Sequence, residues 1–194
     1  MAALIILVVT IIVSVIGLSS PRVIERSLLR PHQVVNGRGY AGLLTSAFVH
    51  ADIGHMLFNL ITFFSFGFKL EPVIGSVKFV VLYFGSLLIA NLGTVFQHRN
   101  DPNYASLGAS GAILGVLFAS IVYFPRQSLY ILPLPVPIPA PLFAIGYLAY
   151  TWYSSRTRRG NINHDAHLFG ALAGLAFVLL TDPTAITQAV RSFS

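Results

Sequence analysis

Residues 106–115 read SLGASGAILG, which places three glycines and two serines inside a run that is otherwise aliphatic. The run continues as VLFASIVYF to residue 124. In a membrane, small residues spaced four apart let two helix backbones approach closely, and a serine among them bonds a neighbouring carbonyl. A serine in such a position is also a nucleophile when a base lies beside it. The stretch therefore predicts a closely packed membrane helix, with both interpretations open for Ser110.

The composition of the whole chain is that of a membrane protein. Of its 194 residues, 55% are hydrophobic and only 9% are charged, and the mean hydropathy is +0.77. A soluble domain carries about 25% charged residues, so we expect a polytopic membrane protein with a single domain over 1–194. The absence of cysteine excludes disulfides and a thiol nucleophile. The basic residues lie between apolar runs, which indicates lipid headgroups and no nucleic-acid partner.

Six apolar runs predict an all-α, polytopic membrane helical bundle, because backbone amides in lipid must be satisfied within each segment. The first run is interpreted as a membrane helix and not a signal peptide, since no Lys or Arg precedes it. Several runs are shorter than the roughly 20 residues of a full span. Short runs predict either a thinned bilayer or helices that begin inside a cavity. The runs cover 2–18, 55–70, 77–97, 106–124, 141–154 and 165–181.

Two connections and the fifth run have features of their own. Residues 19–54 are half apolar and broken by polar residues, which predicts an interfacial element with amphipathic pieces. Residues 131–141, ILPLPVPIPAP, should be extended, because closely spaced prolines exclude a helix. The fifth run predicts an aromatic belt at the interface, with headgroup-anchoring arginines beside it. These residues are Tyr147, Tyr150, Trp152, Tyr153, Arg156, Arg158 and Arg159. Gly146, directly before them, is interpreted as a packing or gating residue.

Polar residues of three runs fall at one depth in the membrane. With six spans, the second, fourth and sixth all begin on the side of loops 19–54, 98–105 and 155–164, which we call the loop face. Each then carries its polar residues within about two turns of that face, at about 1.5 Å per residue. Polar groups in lipid are costly and face a bundle interior or a water cavity. The residues that converge in this way are His55, Asn59, Ser110 and His167.

Residues 164–174, HDAHLFGALAG, supply a partner for the serine. Close packing of two glycine ridges would allow the 2.6–3.2 Å hydrogen bond that a Ser–His nucleophile needs. His167 is then a general base, or else a polar helix cap at the interface. His164, one turn earlier, is a competing base or a loop residue. The two ridges are Gly111 with Gly115 and Gly170 with Gly174.

His55 and Asn59 are spaced i, i+4 and share one helix face. Acyl transfer needs donors aimed at the developing oxyanion, and these two side chains together with the Ser110 amide would suit that task. The alternative is a structural hydrogen-bond pair between helices. The six acidic residues lie outside the depths of the spans, so we predict a Ser–His dyad without an acid.

Taken together, residues 40–181 resemble the rhomboid intramembrane serine proteases. The resemblance rests on His50 with H-x-x-x-N at 55–59, on G-x-S-G at 108–111, and on A-H-x-x-G-x-x-x-G at 166–174. FGFKLEPVIGS at 66–76 also looks like the family's segment between spans two and three, with Glu71 as its structural glutamate. Two features differ from many members. No Trp-Arg pair occurs in 19–54, and Leu114 stands where some members place an aromatic residue against the catalytic imidazole.

The resemblance implies a mechanism and a role for each residue. Ser110 would be the nucleophile, His167 its base, and Asn59 with His55 would form the oxyanion hole. His50, Gly108, Gly111, Gly170 and Gly174 would support the site structurally. Substrates would be transmembrane proteins in the lipid bilayer, whose segments enter past a mobile fifth helix. No cofactor and no metal are implied.

Orientation is left open by two opposing signals. The positive-inside rule places the arginine-rich loop face in the cytoplasm, whereas resemblance to bacterial members places it outside the cytoplasm, in the cell (inner) membrane. We adopt the family orientation because several of these arginines lie in the interfacial loop. The loop face carries Arg22, Arg26, Arg30, Arg38, Arg99, Arg156, Arg158 and Arg159, against Lys69, Lys78, Arg126 and Arg191 opposite.

Two other functions compete with proteolysis. One is a non-proteolytic relative that binds membrane segments, although such relatives typically lack the serine or the histidine. The other is an intramembrane metal enzyme that uses His50, His55, His164 and His167. The second has little support, since the chain has no H-E-x-x-H motif and no carboxylate at a ligand spacing within the spans.

Overall fold

The computed structural model describes residues 1–131, 136–157 and 162–193 as a bundle of helices. A 3-10 turn, Ser46–Phe48, follows α4, and two short strands precede α8: β1 (Ser128–Tyr130) and β2 (Pro137–Pro139). The helices are α1 (Ala2–Ser19), α2 (Pro21–Ser27), α3 (Pro31–Val35), α4 (Gly42–Thr45), α5 (Ile53–Ile74), α6 (Ser76–His98), α7 (Ser110–Tyr123), α8 (Ala140–Thr157), α9 (His164–Thr181) and α10 (Pro183–Arg191).

The predicted all-α membrane bundle is confirmed, and each of the six apolar runs contains a helix. Within the described ranges, four helices, α1, α5, α6 and α9, are long and apolar enough to cross a membrane. The other two runs give α7, with 14 residues, and α8, with 18. At about 1.5 Å per residue, α7 is about 21 Å long, well short of the roughly 30 Å hydrocarbon core.

The short helix α7 lies at the centre of the bundle. Every residue from Gly111 to Ile121 is buried, and α7 packs against α5, α6 and α9. It begins at Ser110, not at residue 106 as the apolar run predicted. Residues 99–109 instead fold inward: Ser106 and Leu29 form an antiparallel bridge, and the Gly108 amide donates to Ser46 O at 2.8 Å. No helical turn therefore lies between Ser110 and the connection that leads from α6 to α7.

Glycines allow α7 and α9 to pack with their backbones in contact. A Cβ atom added at Gly170 would lie 2.8 Å from the carbonyl carbon of Gly111 and closer still to its oxygen. The same collision would occur between Gly174 and Gly115 one turn further along. Real Cβ atoms do not approach so closely, so any side chain at these positions would push the two helices apart.

We expect Gly170→Ala to destabilise the protein by about 1–3 kcal/mol, the usual cost of overpacking a core. Gly146→Ala, on α8, is the matched control: no described atom lies within 4 Å of its Cβ position, so alanine there should be neutral or stabilising by about 0.5–1 kcal/mol. Thermal unfolding in detergent measures both. Equal stability of the two variants would contradict the close packing of α7 on α9. The open space around Gly146 also shows that its interpretation as a packing residue is wrong.

The long connection before α5 forms short helices that pack on the bundle. Leu29 and Val34 are buried against Val95 of α6, while Val35 is exposed. At the end of the connection, the His50 side chain is fully buried. The segment mixes apolar and polar residues because its short helices bury one side and expose the other, as amphipathic patterning predicts.

Local structure joins the helices at the end of the bundle opposite the loop face. The prediction of an extended proline run holds for Pro137–Pro139, which pairs antiparallel with Ser128–Tyr130; residues 132–135 lie outside the described residues. The last residues form α10, whose first turn is capped by Asp182 through the Ala185 amide. Near the end of α5, Glu71 accepts hydrogen bonds from the Ala2 and Ala3 amides and joins α1 to that helix.

Candidate active site

Ser110 is the first residue of α7, and the residues before it determine how it is presented. Gly108 has φ of 113°, a conformation that residues with side chains rarely adopt. A Cβ there would also lie 2.8 Å from the ring carbon Cε1 of His55. Glycine is required on both grounds, so that the chain can pass over the His55 ring. Because Ser110 lies in the first helical turn, its backbone N–H has no acceptor within the helix.

His167 meets the serine from the first turn of α9. Its Nε2 lies 2.8 Å from Ser110 Oγ, within the range for a nucleophile and its base. Asn163 fixes the start of α9 by accepting a hydrogen bond from the Ala166 amide at 3.0 Å. For Ser110 to donate to the imidazole, Nε2 must be unprotonated, and the proton of the neutral ring then resides on Nδ1.

His164 is the other histidine near the site, and it does not contact the serine. Its ring lies 6.1 Å from that of His167 and 5.4 Å from that of Tyr150. Its buried Nδ1 has no hydrogen-bond partner among the described residues. Of the two candidate bases, the structure therefore brings only His167 into hydrogen-bond range of Ser110.

Tyr147 also faces His167, a contact that the sequence interpretation missed. Its hydroxyl lies 3.0 Å from Nδ1 of His167, and the two rings are within 23° of parallel. Tyr147 therefore has a partner inside the bundle, whereas Tyr150, Trp152 and Tyr153 of the predicted aromatic belt are exposed. The sequence signal for this contact was Leu114. Because α7 has leucine where some rhomboids place an aromatic residue, an aromatic contact to the imidazole has to come from another helix.

Asn59 is held by a buried chain of hydrogen bonds that runs through His50. Ser14 Oγ donates to Phe48 O, so it must accept from His50 Nδ1, which lies 2.7 Å away. His50 Nε2 is then an acceptor, and it receives the Asn59 side-chain N–H at 2.9 Å. The chain thus ties α1, the first loop and α5 together at the site.

The hydrogen bonds of His50 require a neutral ring. Burial, together with the charge of nearby His55, lowers the pKa of His50 to about 4, although Asp52 acts in the opposite direction. At neutral pH the ring therefore carries one proton, on Nδ1. Its Nε2 accepts one N–H of the Asn59 amide, and the second N–H of that amide can donate to another acceptor.

Asn59 and His55, the candidate oxyanion donors on α5, lie next to the loop that carries Ser110. The Cβ position of Gly108 is 3.9 Å from the Asn59 amide nitrogen and 3.1 Å from His55 Nε2. The His55 ring stands edge-on to His50 with centroids 5.1 Å apart. Asp52 caps α5 by accepting from the His55 amide, which places His55 in the first turn of that helix. Asn59 and His55 thus lie beside Gly108, two residues before Ser110 in the chain.

Asp165, the carboxylate closest in sequence to His167, is paired elsewhere. Its Oδ2 lies 2.9 Å from Nε2 of His98 on α6, and the His98 ring stacks on Tyr104 with centroids 3.6 Å apart. Both partners of this pair are nearly buried. Sequence reasoning did not foresee the pair, because the two residues are 67 positions apart. Within the described residues, no group of three or more His, Cys, Asp or Glu could hold a metal ion.

A family model described as the Rhomboid domain matches residues 37–183, a range that holds Ser110, His167, Asn59 and His55. The chain belongs to the rhomboid family. It is 33% identical over 149 residues to the rhomboid-family protein YdcA of Bacillus subtilis, covering 76% of this chain and 69% of YdcA. This rhomboid is therefore a membrane protein of an intramembrane-protease-type family.

Mitochondrial proteins of this family are also similar to this chain. Rhomboid protein 1 of Saccharomyces cerevisiae is 29% identical over 142 residues, which is 70% of this chain and 40% of the yeast protein. The human presenilin-associated rhomboid-like protein is 32% identical over 141 residues, which is 70% of this chain and 36% of the human protein. This chain thus spans less than half the length of these mitochondrial relatives.

Proposed function

We propose that this rhomboid is an intramembrane serine endopeptidase that cleaves transmembrane segments of membrane proteins with a Ser110–His167 dyad. The observation that carries the proposal is the 2.8 Å contact between Ser110 Oγ and His167 Nε2. It joins two helices whose backbones touch through glycines, so the geometry is fixed by packing. Preorganised contacts of this kind are what covalent catalysis requires.

The reaction would proceed in two halves. His167 Nε2 takes the proton of Ser110 as Oγ attacks the substrate carbonyl, and the oxyanion is held by Asn59, His55 and the Ser110 amide. The protonated imidazole then gives its proton to the leaving amine, so the peptide bond breaks and an acyl-enzyme remains. Water attacks the acyl group along the same route, with His167 again as the base.

Substrates would reach the dyad sideways, past α8. This helix packs on α7 and α9 and exposes large apolar side chains elsewhere, among them Leu142 and Ile145. A substrate helix has to unwind locally to present a carbonyl, because its backbone is otherwise hydrogen-bonded internally. We therefore expect small or helix-breaking residues near the cleavage site. We keep the extracytoplasmic orientation of the active-site face, in a cell membrane, as part of this proposal.

Covalent labelling of the purified protein by a fluorophosphonate tests the proposal. We expect one label per chain, mapped by peptide mass spectrometry to Ser110 and unaffected by a chelator. A folded wild-type protein that neither reacts with the probe nor cleaves a model transmembrane substrate in liposomes would overturn the proposal. Labelling that a chelator abolishes would point to metal-dependent chemistry instead.

A further inference from the structure

A base that accepts a proton at Nε2 needs an acceptor for the proton on Nδ1. Without one, the imidazole is free to rotate or to adopt the other neutral tautomer, in which Nε2 carries the proton and cannot accept from the serine. Serine proteases with a triad use a carboxylate for this task, and some cysteine proteases use a neutral asparagine. Here Asp165 is paired with His98 and does not serve.

We propose that Tyr147 is a positioning residue of the dyad: its phenol oxygen accepts the Nδ1–H of His167 and so holds Nε2 as the acceptor for Ser110. This inference rests on the proposed function, and it assigns to α8 a part in aligning the base. The oxygen is 3.0 Å from Nδ1, and Ser110 Oγ is 2.8 Å from Nε2, so the two contacts occupy both nitrogens of one ring.

The Tyr147 side chain is itself held on several sides. Phe143, one turn earlier on α8, stacks on it with centroids 5.4 Å apart and planes within 20°. The ring of Phe118, a fully buried residue of α7, has its centroid 6.0 Å from that of Tyr147. The phenol ring therefore contacts residues of α7, α8 and α9. Because these contacts already restrict its rotamers, little side-chain entropy is lost when its oxygen orients the imidazole.

The protons balance without involving the phenol in transfer. When Ser110 Oγ attacks, its proton moves to Nε2, and the ring becomes an imidazolium that carries this new Nε2–H together with the Nδ1–H it already had. The Nδ1–H donates to a lone pair of the Tyr147 oxygen before and after the transfer, and the phenol keeps its own proton throughout. Hydrogen bonds to a charged group are stronger than those to a neutral one, so the contact strengthens as the transition state is approached.

Tyr147→Phe removes the oxygen and keeps the ring, so it tests the hydrogen bond alone. We expect kcat to fall about 10- to 100-fold, the range for a hydrogen bond to a charged group, with KM little changed. Tyr153→Phe is the matched control on the same helix, since Tyr153 is exposed. It should behave as wild type. Cleavage of a transmembrane substrate in liposomes and the rate of fluorophosphonate labelling are measured for each protein.

The pH profile separates a positioning role from a structural one. Removing the acceptor destabilises the protonated ring relative to the neutral one, so the acid limb of the labelling rate should move to lower pH in Tyr147→Phe. The titratable groups that face His167 are Tyr147 on α8, His164 on α9 and His55 on α5. The two histidines are unchanged in the variant, so a shifted limb reports the loss of the phenol oxygen.

The outcomes distinguish this inference from the proposed function. If wild type is not labelled and does not cleave, the proposed function fails and Tyr147 has no base to position. If wild type is labelled at Ser110 but Tyr147→Phe has the same labelling rate and pH profile, the inference is overturned. A loss of cleavage with unchanged labelling also overturns it, because Tyr147 would then act on substrate entry alone.

A second pair of variants applies if the phenylalanine variant does not fold. Tyr147→Gln and Tyr147→Leu both lose the ring, but only glutamine keeps a side-chain oxygen that can accept from Nδ1. We expect the glutamine variant to be labelled faster than the leucine variant by about 5-fold or more, as one hydrogen bond allows. Equal labelling rates would overturn the inference.

Discussion

Ser110→Ala is expected to reduce cleavage of a transmembrane substrate by about 10⁴- to 10⁶-fold, the usual loss when the nucleophile of a serine protease is removed. Without Oγ no acyl-enzyme forms, and the oxyanion donors alone cannot replace covalent catalysis. Alanine is the best helix former and fits the first turn of α7, so the variant should fold. Liposome cleavage and fluorophosphonate labelling should both fall to background.

Ser120→Ala is the control for this variant. Ser120 lies on the same helix and is fully buried, and its hydroxyl has no hydrogen-bond partner among the described residues. Removing that hydroxyl should leave turnover at the wild-type level and stability unchanged or slightly higher. Cleavage by purified Ser110→Ala at a rate close to that of Ser120→Ala would contradict the proposed mechanism.

The helices of this rhomboid could be predicted because the membrane imposes a simple rule. Each buried backbone segment must satisfy its own hydrogen bonds, so an apolar run becomes a helix with ends near the ends of the run. The predicted run 77–97 became Ser76–His98, and 165–181 became His164–Thr181. The start of α7 could not be found this way, because residues 106–109 continue the run of small or apolar residues, yet Ser106 bonds to Leu29 and Gly108 to Ser46.

The candidate site was predictable in part because topology determines depth. Alternating spans begin on the same face, so polar residues early in three of them had to lie at a similar level. The partners of those residues were not predictable, since they depend on contacts distant in sequence. Ser14 reaches His50 from α1, and Tyr147 reaches His167 from α8. Periodicity reports which side of a helix is apolar, and it does not report which neighbour that side meets.

Asn59→Ala is expected to lower kcat by about 10²- to 10³-fold, the cost of losing one oxyanion donor. The reason lies in how the amide is held: His50 takes one N–H, and the amide nitrogen lies 3.9 Å from the Cβ position of Gly108, beside the loop that carries Ser110. KM should change little, because the donor acts on charge that develops only in the transition state. Some activity should remain, since His55 and the Ser110 amide are still present.

The variant also leaves His50 Nε2 without its donor, so stability must be separated from catalysis. Glu71→Ala provides that control: Glu71 is buried near the other end of α5, twelve residues after Asn59, and accepts from the Ala2 and Ala3 amides. Each variant should lose about 1–3 kcal/mol of stability, the cost of leaving a buried polar group unpaired. Only Asn59→Ala should also lose turnover when both are assayed well below their unfolding temperatures. Equal kcat values for the two variants would show that Asn59 supports the fold and does not hold the oxyanion.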